Sequence, residues 1–567
     1  MNAMPWLDSY PEGVRWDIEI DPAPVQTLLD QTAGKWPNKP AVNFMGRQIS
    51  YAELLDLANR TAAGLQKIGV GPGVHVGLYL PNSPHYLIAI FAVLKAGGTV
   101  VNYSPLDAAQ VLEHKIEDSR TDVLITLDMA SLFPQMAHML GHTRLKKLVV
   151  GSLAEMTGAP REVAAQMKTK GQLADVWWDD PRIVRFAQLQ DNDGRYTAHP
   201  LGDPREALAV LQYTGGTTGL PKGAMLTHAN LWSACAQYTA SVSGRPPVLL
   251  EGQERFLAVL PPFHIFALTV NMLQGVRLAA ELVMHLRFDA EAALRDIAEL
   301  RITTFCGVPT MYTALIGHPM AGAYDLTSLK YCGSGGAPLP LEVAQRYLEV
   351  TGCPLTEGWG MTETSPTGTF TPVHGIRKAG SCGMPLPRIQ IRMLSLDDPA
   401  RYVALGEIGE ICIGGPNVMK GYWNRPDATA EVTTFDGLMR TGDVGYMDED
   451  GFVFIVDRCK DMLLCSGYNV YPRVLEEAIY QHPAVAEVAV IGIPDEYRGQ
   501  SPKAFMALRA GATAPSLQEL QAFLKDKLGK HEMVQALEIR VALPKTPVGK
   551  ISKKDLADEE ARRAPVH

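Results

Sequence analysis

The sequence predicts an α/β protein with a large N-terminal domain, residues 1–457, and a small α+β C-terminal domain, residues 458–567. Three observations support this prediction. Helical and strand-like patterns alternate through the first 130 residues, and short β-type segments follow one another in residues 406–454. The charge balance also changes, because residues 458–567 carry a net charge of +2 and residues 1–457 carry −11. Such alternation is typical of a layered fold with crossover helices.

The N-terminal alternation is predicted from the spacing of apolar residues. Leu54, Ala58, Ala62 and Leu65 recur every three or four residues, which is the period of an amphipathic helix. Two glycines at 97–98 end a later helix before a β-branched strand. Helices are predicted at residues 51–68, 86–95 and 107–118, and strands at residues 74–80, 99–102 and 122–127.

The remaining segments are less uniform. Residues 151–203 are polar and are expected to form a surface excursion between core elements. Gly and Asp punctuate residues 406–454, which indicates a small barrel or sheet. In the C-terminal domain a helix is predicted from Tyr471-Pro472-Arg473 to Tyr480, followed by a strand at residues 485–493.

Composition excludes several classes of protein. Of the 567 residues, 46% are hydrophobic and 20% charged, as in an ordinary folded protein. A net charge of −9 argues against a nucleic-acid partner, since phosphate contacts need a basic surface. The eight cysteines lack CxxC or zinc-type spacing and are expected to be reduced. With no signal-like N-terminus and no long apolar run, a soluble, cytoplasmic protein is expected.

The segment most informative about chemistry is residues 213–223, which read YTGGTTGLPKG. An apolar strand leads into glycines that let backbone N–H groups approach an anion, with threonine hydroxyls and Lys222 as further donors. This pattern predicts a phosphate-binding loop, and the alternative is a Gly-rich hairpin loop. It is not a Walker A motif, and the chain carries no GxSxG, HExxH or GxGxxG motif that would indicate a hydrolase, a zincin or a Rossmann enzyme.

Residues 213–223 resemble the phosphate loop of the acyl-adenylate-forming (AMP-binding) superfamily, and five further segments resemble its other motifs in the same order. These are GSGGAPL at 333–339, GWGMTE at 358–363, GYWN at 421–424 with TGD at 441–443, DRCKD at 457–461 and LPKTPVGKI at 543–551. The resemblance covers about residues 25–556. It implies two α/β subdomains plus a small β-barrel in the N-terminal domain, and a mobile C-terminal domain that turns about a hinge at Lys460.

The resemblance also implies the roles of individual residues. The catalytic residues would be Lys550, Thr362, Glu363 and His264, and Glu363 with Thr214 would hold Mg²⁺. The residues implied to bind ATP or AMP are Thr214, Gly215, Gly216, Thr217, Thr218, Gly219, Lys222, Gly335, Gly336, Ala337, Pro338, Trp359, Gly360, Met361, Asp443 and Arg458. The residues implied to bind CoA, the co-substrate, are Ser466, Gly467 and Tyr468.

Each of these assignments has a structural alternative. Lys550 lies among other lysines and is alternatively part of a solvated basic tail, while Asp443 is alternatively a turn former. Glu363 is alternatively a carboxylate at a helix start. His264, between two phenylalanines, is alternatively a packed histidine. Trp359 stands where the superfamily usually has Tyr; an indole can stack on adenine but lacks the hydroxyl.

Within the superfamily the sequence is most similar to bacterial long-chain fatty-acid–CoA ligases, at LQYTGGTTGLPKGAMLTH (211–228) and FHIFALT (263–269). The implied function is activation of a medium- to long-chain fatty acid with ATP to acyl-AMP, then transfer to CoA. Alternatives are a ligase for a dicarboxylic or aryl acid and an inactive acyl-nucleotide-binding relative. Small-molecule substrates are expected, and the sequence is compatible with peripheral membrane association and with a homodimer.

Overall fold

The computed structural model describes residues 4–214, 221–466, 468–495, 497–546 and 549–563. In these ranges the chain forms two seven-stranded sheets, a four-stranded antiparallel sheet, a two-stranded sheet and a separate C-terminal sheet. The predicted fold class, α/β with a separate C-terminal domain, is confirmed. Within the described ranges, no helix is long and apolar enough to cross a membrane.

The strands occur in the following order along the chain. They are β1 (Pro40–Phe44), β2 (Arg47–Ser50), β3 (His75–Leu78), β4 (Thr99–Asn102), β5 (Thr121–Leu127), β6 (Lys147–Gly151), β7 (Ile183–Arg185), β8 (Leu208–Tyr213), β9 (Gly223–Thr227), β10 (Arg255–Ala258), β11 (Glu281–Met284), β12 (Thr304–Gly307), β13 (Tyr331–Ser334), β14 (Leu355–Glu357), β15 (Thr369–Phe370), β16 (Met384–Pro385), β17 (Gln390–Leu394), β18 (Gly409–Gly414), β19 (Met439–Met447), β20 (Val453–Arg458), β21 (Leu463–Cys465), β22 (Tyr468–Val470), β23 (Val485–Asp495), β24 (Gly499–Leu508) and β25 (Ala536–Arg540).

The helices are distributed among these strands. They are α1 (Thr27–Lys35), α2 (Tyr51–Lys67), α3 (Pro84–Lys95), α4 (Ala109–Asp118), α5 (Phe133–His142), α6 (Pro160–Thr169), α7 (Phe186–Leu189), α8 (His228–Ser241), α9 (Gln274–Arg277), α10 (Ala290–Glu299), α11 (Pro309–Gly317), α12 (Leu341–Thr351), α13 (Pro426–Glu431), α14 (Pro472–Tyr480), α15 (Leu517–Leu524) and α16 (Lys553–Arg563). A π-helical segment, Ala267–Leu273, precedes α9.

Two sheets of the same design make up most of the N-terminal domain. Sheet A has the order β14-β13-β12-β10-β11-β1-β2, and sheet B has the order β7-β6-β5-β3-β4-β8-β9. In each sheet the last pair, β1 with β2 or β8 with β9, is antiparallel, and the other pairs are parallel. The carboxyl ends of parallel strands meet at one edge, where α/β proteins bind ligands.

The main apolar core joins the two sheets. Val42 and Leu282 of sheet A lie in the same cluster of buried residues as Val76 and Leu124 of sheet B. Every residue of α3 is buried, which agrees with its sequence, since a helix that is apolar on all sides is stable only inside a protein. The neighbouring α2 is amphipathic and begins where the Ser50 side chain accepts a hydrogen bond from the Glu53 backbone N–H.

The polar stretch 151–203 contributes to the core as well as to the surface. It contains α6, β7 and α7, and β7 pairs with β6 as the edge strand of sheet B. Phe186 and Leu189 of α7 are buried. The expected surface excursion therefore also completes one side of sheet B.

Two smaller units complete the fold. Residues 406–454, expected to lie in a small barrel or sheet, fall in a four-stranded antiparallel sheet of order β17-β18-β19-β20 with its own apolar core. In the C-terminal part, β24 pairs with β21, β23 and β25, and Leu475, Val490 and Met506 belong to a separate core. The predicted helix after Tyr471 is α14, Pro472–Tyr480.

Candidate functional site

The predicted adenine and catalytic segments follow neighbouring strands of sheet A. Residues 335–338 follow β13, and residues 358–363 follow β14. Backbone hydrogen bonds hold these loops to the strand ends, from Gly335 N–H to the Gly307 carbonyl (3.2 Å) and from Gly358 N–H to the Ser334 carbonyl (3.0 Å). Gly335, Gly336, Ala337, Pro338, Gly360, Met361 and Thr362 thus come together at the carboxyl edge of sheet A.

The C-terminal part brings Lys550 to this edge. A Cβ atom at position 336 would lie 3.0 Å from the Lys550 Cε and 3.3 Å from its Nζ, so the lysine passes directly over Gly336. Gly336 has a φ of +78°, which only glycine adopts without strain. The Thr310 hydroxyl donates to the Gly549 carbonyl at 3.1 Å and fixes the loop before the lysine. The solvated tail considered above is therefore not what the structure contains.

Lys550 and His264 line one small cavity, with Leu260, Pro261, Phe266, Val308 and Gly336. Burial, together with the positive charge of Arg458, lowers the pKa of Lys550 to about 8. Burial, together with the charge of Lys550, lowers the pKa of His264 to about 3. His264 is therefore neutral at physiological pH, and its Nδ1 accepts a hydrogen bond from the Phe266 backbone N–H at 3.3 Å.

Asp443 and Arg458 form a cross-strand ion pair in the four-stranded sheet. The two residues are paired in register on β19 and β20, and the Arg458 Nε lies 3.0 Å from the Asp443 Oδ1. The Asp443 side chain is only 5% exposed, whereas that of Arg458 is 51% exposed. The carboxylate is thus buried beside a cation that still reaches solvent, as a site that accepts hydrogen bonds from a polar ligand requires.

Trp359 contacts Asp443 through the indole N–H. Its Nε1 donates to the Asp443 Oδ2 at 2.8 Å, so both carboxylate oxygens have a donor from the protein. From the sequence alone, the indole is expected to be able to stack on adenine but to lack the tyrosine hydroxyl. In the structure the indole N–H provides a different donor, and the substitution joins the loop after β14 to the four-stranded sheet.

Glu363 is the acidic residue of the loop after β14, and it is buried. Burial raises the pKa of its carboxyl group. The Tyr422 hydroxyl donates to the Glu363 Oε1 at 2.6 Å. The described ranges contain no group of three or more His, Cys, Asp or Glu side chains arranged around one point. A single carboxylate such as that of Glu363 is compatible with Mg²⁺, because this ion prefers oxygen ligands and usually combines one or two carboxylates with water and substrate phosphates.

The predicted phosphate loop is described only at its two ends. The Thr214 backbone N–H donates to the Lys222 carbonyl at 2.9 Å, which closes the base of the loop between β8 and β9. The Lys222 Nζ lies 4.5 Å from the centroid of the Tyr422 ring. The other predicted phosphate contacts, Gly215, Gly216, Thr217, Thr218 and Gly219, lie outside the described residues.

Of the predicted CoA and hinge residues, Ser466, Tyr468 and Lys460 are described, and none of these three lines the Lys550 cavity. Ser466 and Tyr468 are exposed at the turn between β21 and β22, and neither lines the cavity; Gly467 lies outside the described residues. Lys460 is exposed in the turn after β20. The roles of these residues remain predictions.

Two contacts were not foreseen from the sequence. Tyr422 lies in the GYWN motif, and the motif does not predict its contact with Glu363. Burial raises the pKa of Glu357 to about 7, although the positive charge of Arg473 opposes the shift. Arg473, on α14, is buried, and its charge acts on Glu357 at the end of β14. Neither the segment around Glu357 nor that around Arg473 predicts this interaction, since it depends on how the C-terminal part packs.

Two family comparisons agree with this geometry. The family described as AMP-binding enzyme matches residues 29–423, and the family described as AMP-binding enzyme C-terminal domain matches residues 474–550. A long-chain-fatty-acid–CoA ligase of Bacillus subtilis (strain 168) is 39% identical over 560 residues, which covers 98% of each chain. A long-chain-fatty-acid–CoA ligase of Escherichia coli O157:H7 is 35% identical over 563 residues, again with 98% of each chain covered.

Solved structures are similar over nearly the whole chain. The ATP-bound crystal structure of MatB from Rhodopseudomonas palustris has a TM-score of 0.81 at 27% identity, covering 95% of this chain and 100% of that one. An anthranilate CoA ligase in complex with anthranoyl-AMP has a TM-score of 0.84 at 25% identity, covering 97% and 99%.

The Trp359 contact predicts a measurable effect on AMP binding. Trp359→Phe keeps an aromatic ring but removes the N–H that orients Asp443, and a hydrogen bond to a charged group is worth roughly 1.5–3 kcal/mol. We expect AMP affinity, measured by isothermal titration calorimetry, to fall roughly tenfold. Trp178→Phe, an exposed indole on another part of the chain, is the control and should not change the affinity. Wild-type affinity in Trp359→Phe would show that the indole N–H does not orient Asp443.

Proposed function

The chain belongs to the AMP-binding enzyme family, and we propose that it is a fatty-acid–CoA ligase. It would convert a medium- to long-chain carboxylic acid, ATP and CoA into acyl-CoA, AMP and pyrophosphate. The observation that carries the proposal is that Lys550 comes from the C-terminal part into the cavity at the edge of sheet A, beside Gly336 and His264. The similarity to long-chain-fatty-acid–CoA ligases over 98% of the chain supports the choice of reaction.

In the first step the substrate carboxylate attacks the α-phosphorus of ATP. A new bond forms from the carboxylate oxygen to phosphorus, and the bond from phosphorus to the bridging oxygen breaks, so that pyrophosphate leaves with the electron pair. Negative charge builds on the phosphate oxygens, and oriented donors and cations stabilise it. We assign this stabilisation to Lys550, Thr362 and Lys222, with the loop residues 214–219 around the phosphates.

Glu363, with the Thr214 hydroxyl, would hold Mg²⁺. When bound, the ion neutralises phosphate charge. Asp443 would accept hydrogen bonds from the ribose hydroxyls, with Arg458 beside it. The adenine would lie against residues 335–338 and the Trp359–Met361 segment, at the edge of sheet A.

In the second step the CoA sulfur attacks the acyl carbon of acyl-AMP. The carbon–oxygen bond to AMP breaks, AMP leaves with the bonding electron pair, and the thiol proton passes to water. This step needs Ser466, Gly467 and Tyr468 at the site, whereas the structure has Lys550 there. We therefore propose that residues 458–567 turn as a domain against residues 1–457, with Lys460 as the hinge. His264, held neutral, would lie between the carboxylate and thiol sites.

The proposal includes the setting in which the enzyme acts. We place it in the cytoplasm, where the eight cysteines, all within the described ranges and none of them in a disulfide, would stay reduced. Peripheral association with a membrane and a homodimer are both compatible with this assignment, and a membrane surface would supply fatty acids.

A panel of carboxylic acids tests the proposed substrate class. We expect ATP–pyrophosphate exchange to rise by up to a few-fold with each added methylene, since burial of a CH₂ group contributes about 0.8 kcal/mol, until the acyl pocket is filled. The panel should run from acetate to stearate and include benzoate and a dicarboxylate. An optimum at acetate or benzoate, with decanoate and longer acids inert, would refute a fatty acid as the substrate.

The role of Lys550 predicts that its loss separates the two half-reactions. Lys550→Ala should slow formation of acyl-AMP by roughly 10²–10³, which is typical for loss of one donor to a transition state. When preformed acyl-AMP and CoA are supplied, the variant should still make thioester. Lys545→Ala, an exposed lysine in the same segment, is the matched control and should leave both rates unchanged. An equal loss in both half-reactions would contradict the assignment.

A hinge at Lys460 predicts the opposite result, in which the second half-reaction is lost and the first is kept. Lys460→Pro fixes φ near −65° and should hold the C-terminal domain in one pose. The variant should therefore keep much of its ATP–pyrophosphate exchange and lose most of its thioester formation. A melting curve checks that the variant is folded. If folded Lys460→Pro makes acyl-CoA at the wild-type rate, the hinge lies elsewhere.

A further inference from the structure

Tyr422 stands between the two charged groups that the proposed mechanism places around the triphosphate. Its hydroxyl donates to the Glu363 Oε1 at 2.6 Å, and its ring lies 4.5 Å from the Lys222 Nζ. Tyr422 and Glu363 are each about 6% exposed. A carboxylate this buried needs a donor, and the phenol supplies it.

The backbone around Tyr422 holds the ring in place. Residue 422 forms a β-bridge with Ala224, the residue two places after Lys222. On either side, the Met225 N–H donates to the Gly421 carbonyl (2.9 Å), and the Trp423 N–H donates to the Gly223 carbonyl (2.8 Å). Tyr422 is thus in register with β9, the strand that begins directly after Lys222. The fold therefore places the backbone of Tyr422 close to that of Lys222.

The contact with Lys222 has a consequence for phosphate binding. An ammonium group over an aromatic face is attracted by the ring, and the attraction is weaker than a direct ion pair with a phosphate. The ring therefore keeps the ammonium beside the loop without competing with an incoming triphosphate. A carboxylate partner in the same place would bind the lysine more strongly and would repel the phosphates.

We propose that Tyr422 is a positioning residue for nucleotide activation. Its hydroxyl fixes the Glu363 carboxylate so that Oε2 is left to the metal ion, and its ring holds Lys222 beside the phosphates. The inference rests on the proposed function, in which Glu363 and Lys222 act on metal-bound ATP. Tyr422 itself touches none of the reacting atoms.

The experiment measures metal binding without turnover, in the full chain and in the absence of any carboxylic acid. Mn²⁺ serves as the probe, and free Mn²⁺ is followed by electron paramagnetic resonance in the presence of ATP. Tyr422→Phe keeps the ring and removes the hydroxyl. We expect the affinity of the enzyme–ATP complex for Mn²⁺ to fall roughly tenfold, since the lost hydrogen bond is to a charged group. ATP binding in EDTA should be unchanged, because the ring contact with Lys222 remains.

A matched control lies elsewhere in the chain. Tyr402 also donates its phenol to a carboxylate, the Asp436 Oδ1 at 2.5 Å, at an exposed position. Tyr402→Phe should leave both Mn²⁺ and ATP affinities unchanged. Unaltered Mn²⁺ affinity in Tyr422→Phe would overturn the proposal. An equal loss of ATP affinity in EDTA would also overturn it, because that result indicates a general disturbance of the site.

A double-mutant cycle distinguishes an effect of Tyr422 that acts through Glu363 from a general structural effect. If Tyr422 acts through Glu363, the losses of Mn²⁺ affinity in Tyr422→Phe and Glu363→Gln should be strongly non-additive. Additive losses would overturn the proposal. Failure of the proposed ligase function is separate, because it would appear as an absence of acyl-AMP formation in the wild-type enzyme while these binding results stand.

Discussion

The site depends on the position of the Lys550 amine, which lies over Gly336 at the edge of sheet A. Burial and the nearby Arg458 both disfavour its charge and lower its pKa to about 8, while the negative charge of Asp443 opposes the shift. Lys550 and Arg458 are therefore two cations close to one buried carboxylate, that of Asp443. A negatively charged ligand would remove the repulsion and favour the protonated amine, so the pocket is electrostatically suited to a phosphate and a carboxylate.

Polar contacts between the C-terminal part and the N-terminal domain are present among the described residues. Thr310 donates to the Gly549 carbonyl, and Glu342 of α12 pairs with Arg509 of β24. Arg473 faces Glu357, whose carboxyl group is already easy to protonate near pH 7 because burial raises its pKa. An interaction with a carboxyl group that can take up a proton near pH 7 is compatible with the domain rotation proposed above.

Much of this arrangement could be predicted from the sequence, because the informative signals are local. The apolar spacing in residues 51–68 depends only on neighbouring residues, and the structure has a helix, Tyr51–Lys67, where the pattern places it. The contacts of Trp359 with Asp443 and of Tyr422 with Glu363 join residues 84 and 59 positions apart. Such pairs depend on tertiary packing. For the same reason, the sequence of residues 151–203 does not predict the edge strand β7. This strand has only three residues and is defined by its pairing with β6.

Trp359 and Tyr422 each donate a hydrogen bond from one segment of the site to an acidic residue of the other segment. Glu363 and Trp359 belong to one segment, the loop after β14, whereas Asp443 and Tyr422 belong to the chain from β18 to β19. Trp359 donates to the acid of the other segment, and Tyr422 does the same in return. Neither acid can shift without pulling on the opposite segment. In the proposed mechanism a metal ion and a ribose bind these two acids at once, so the crossed hydrogen bonds would hold the two binding positions at a defined separation.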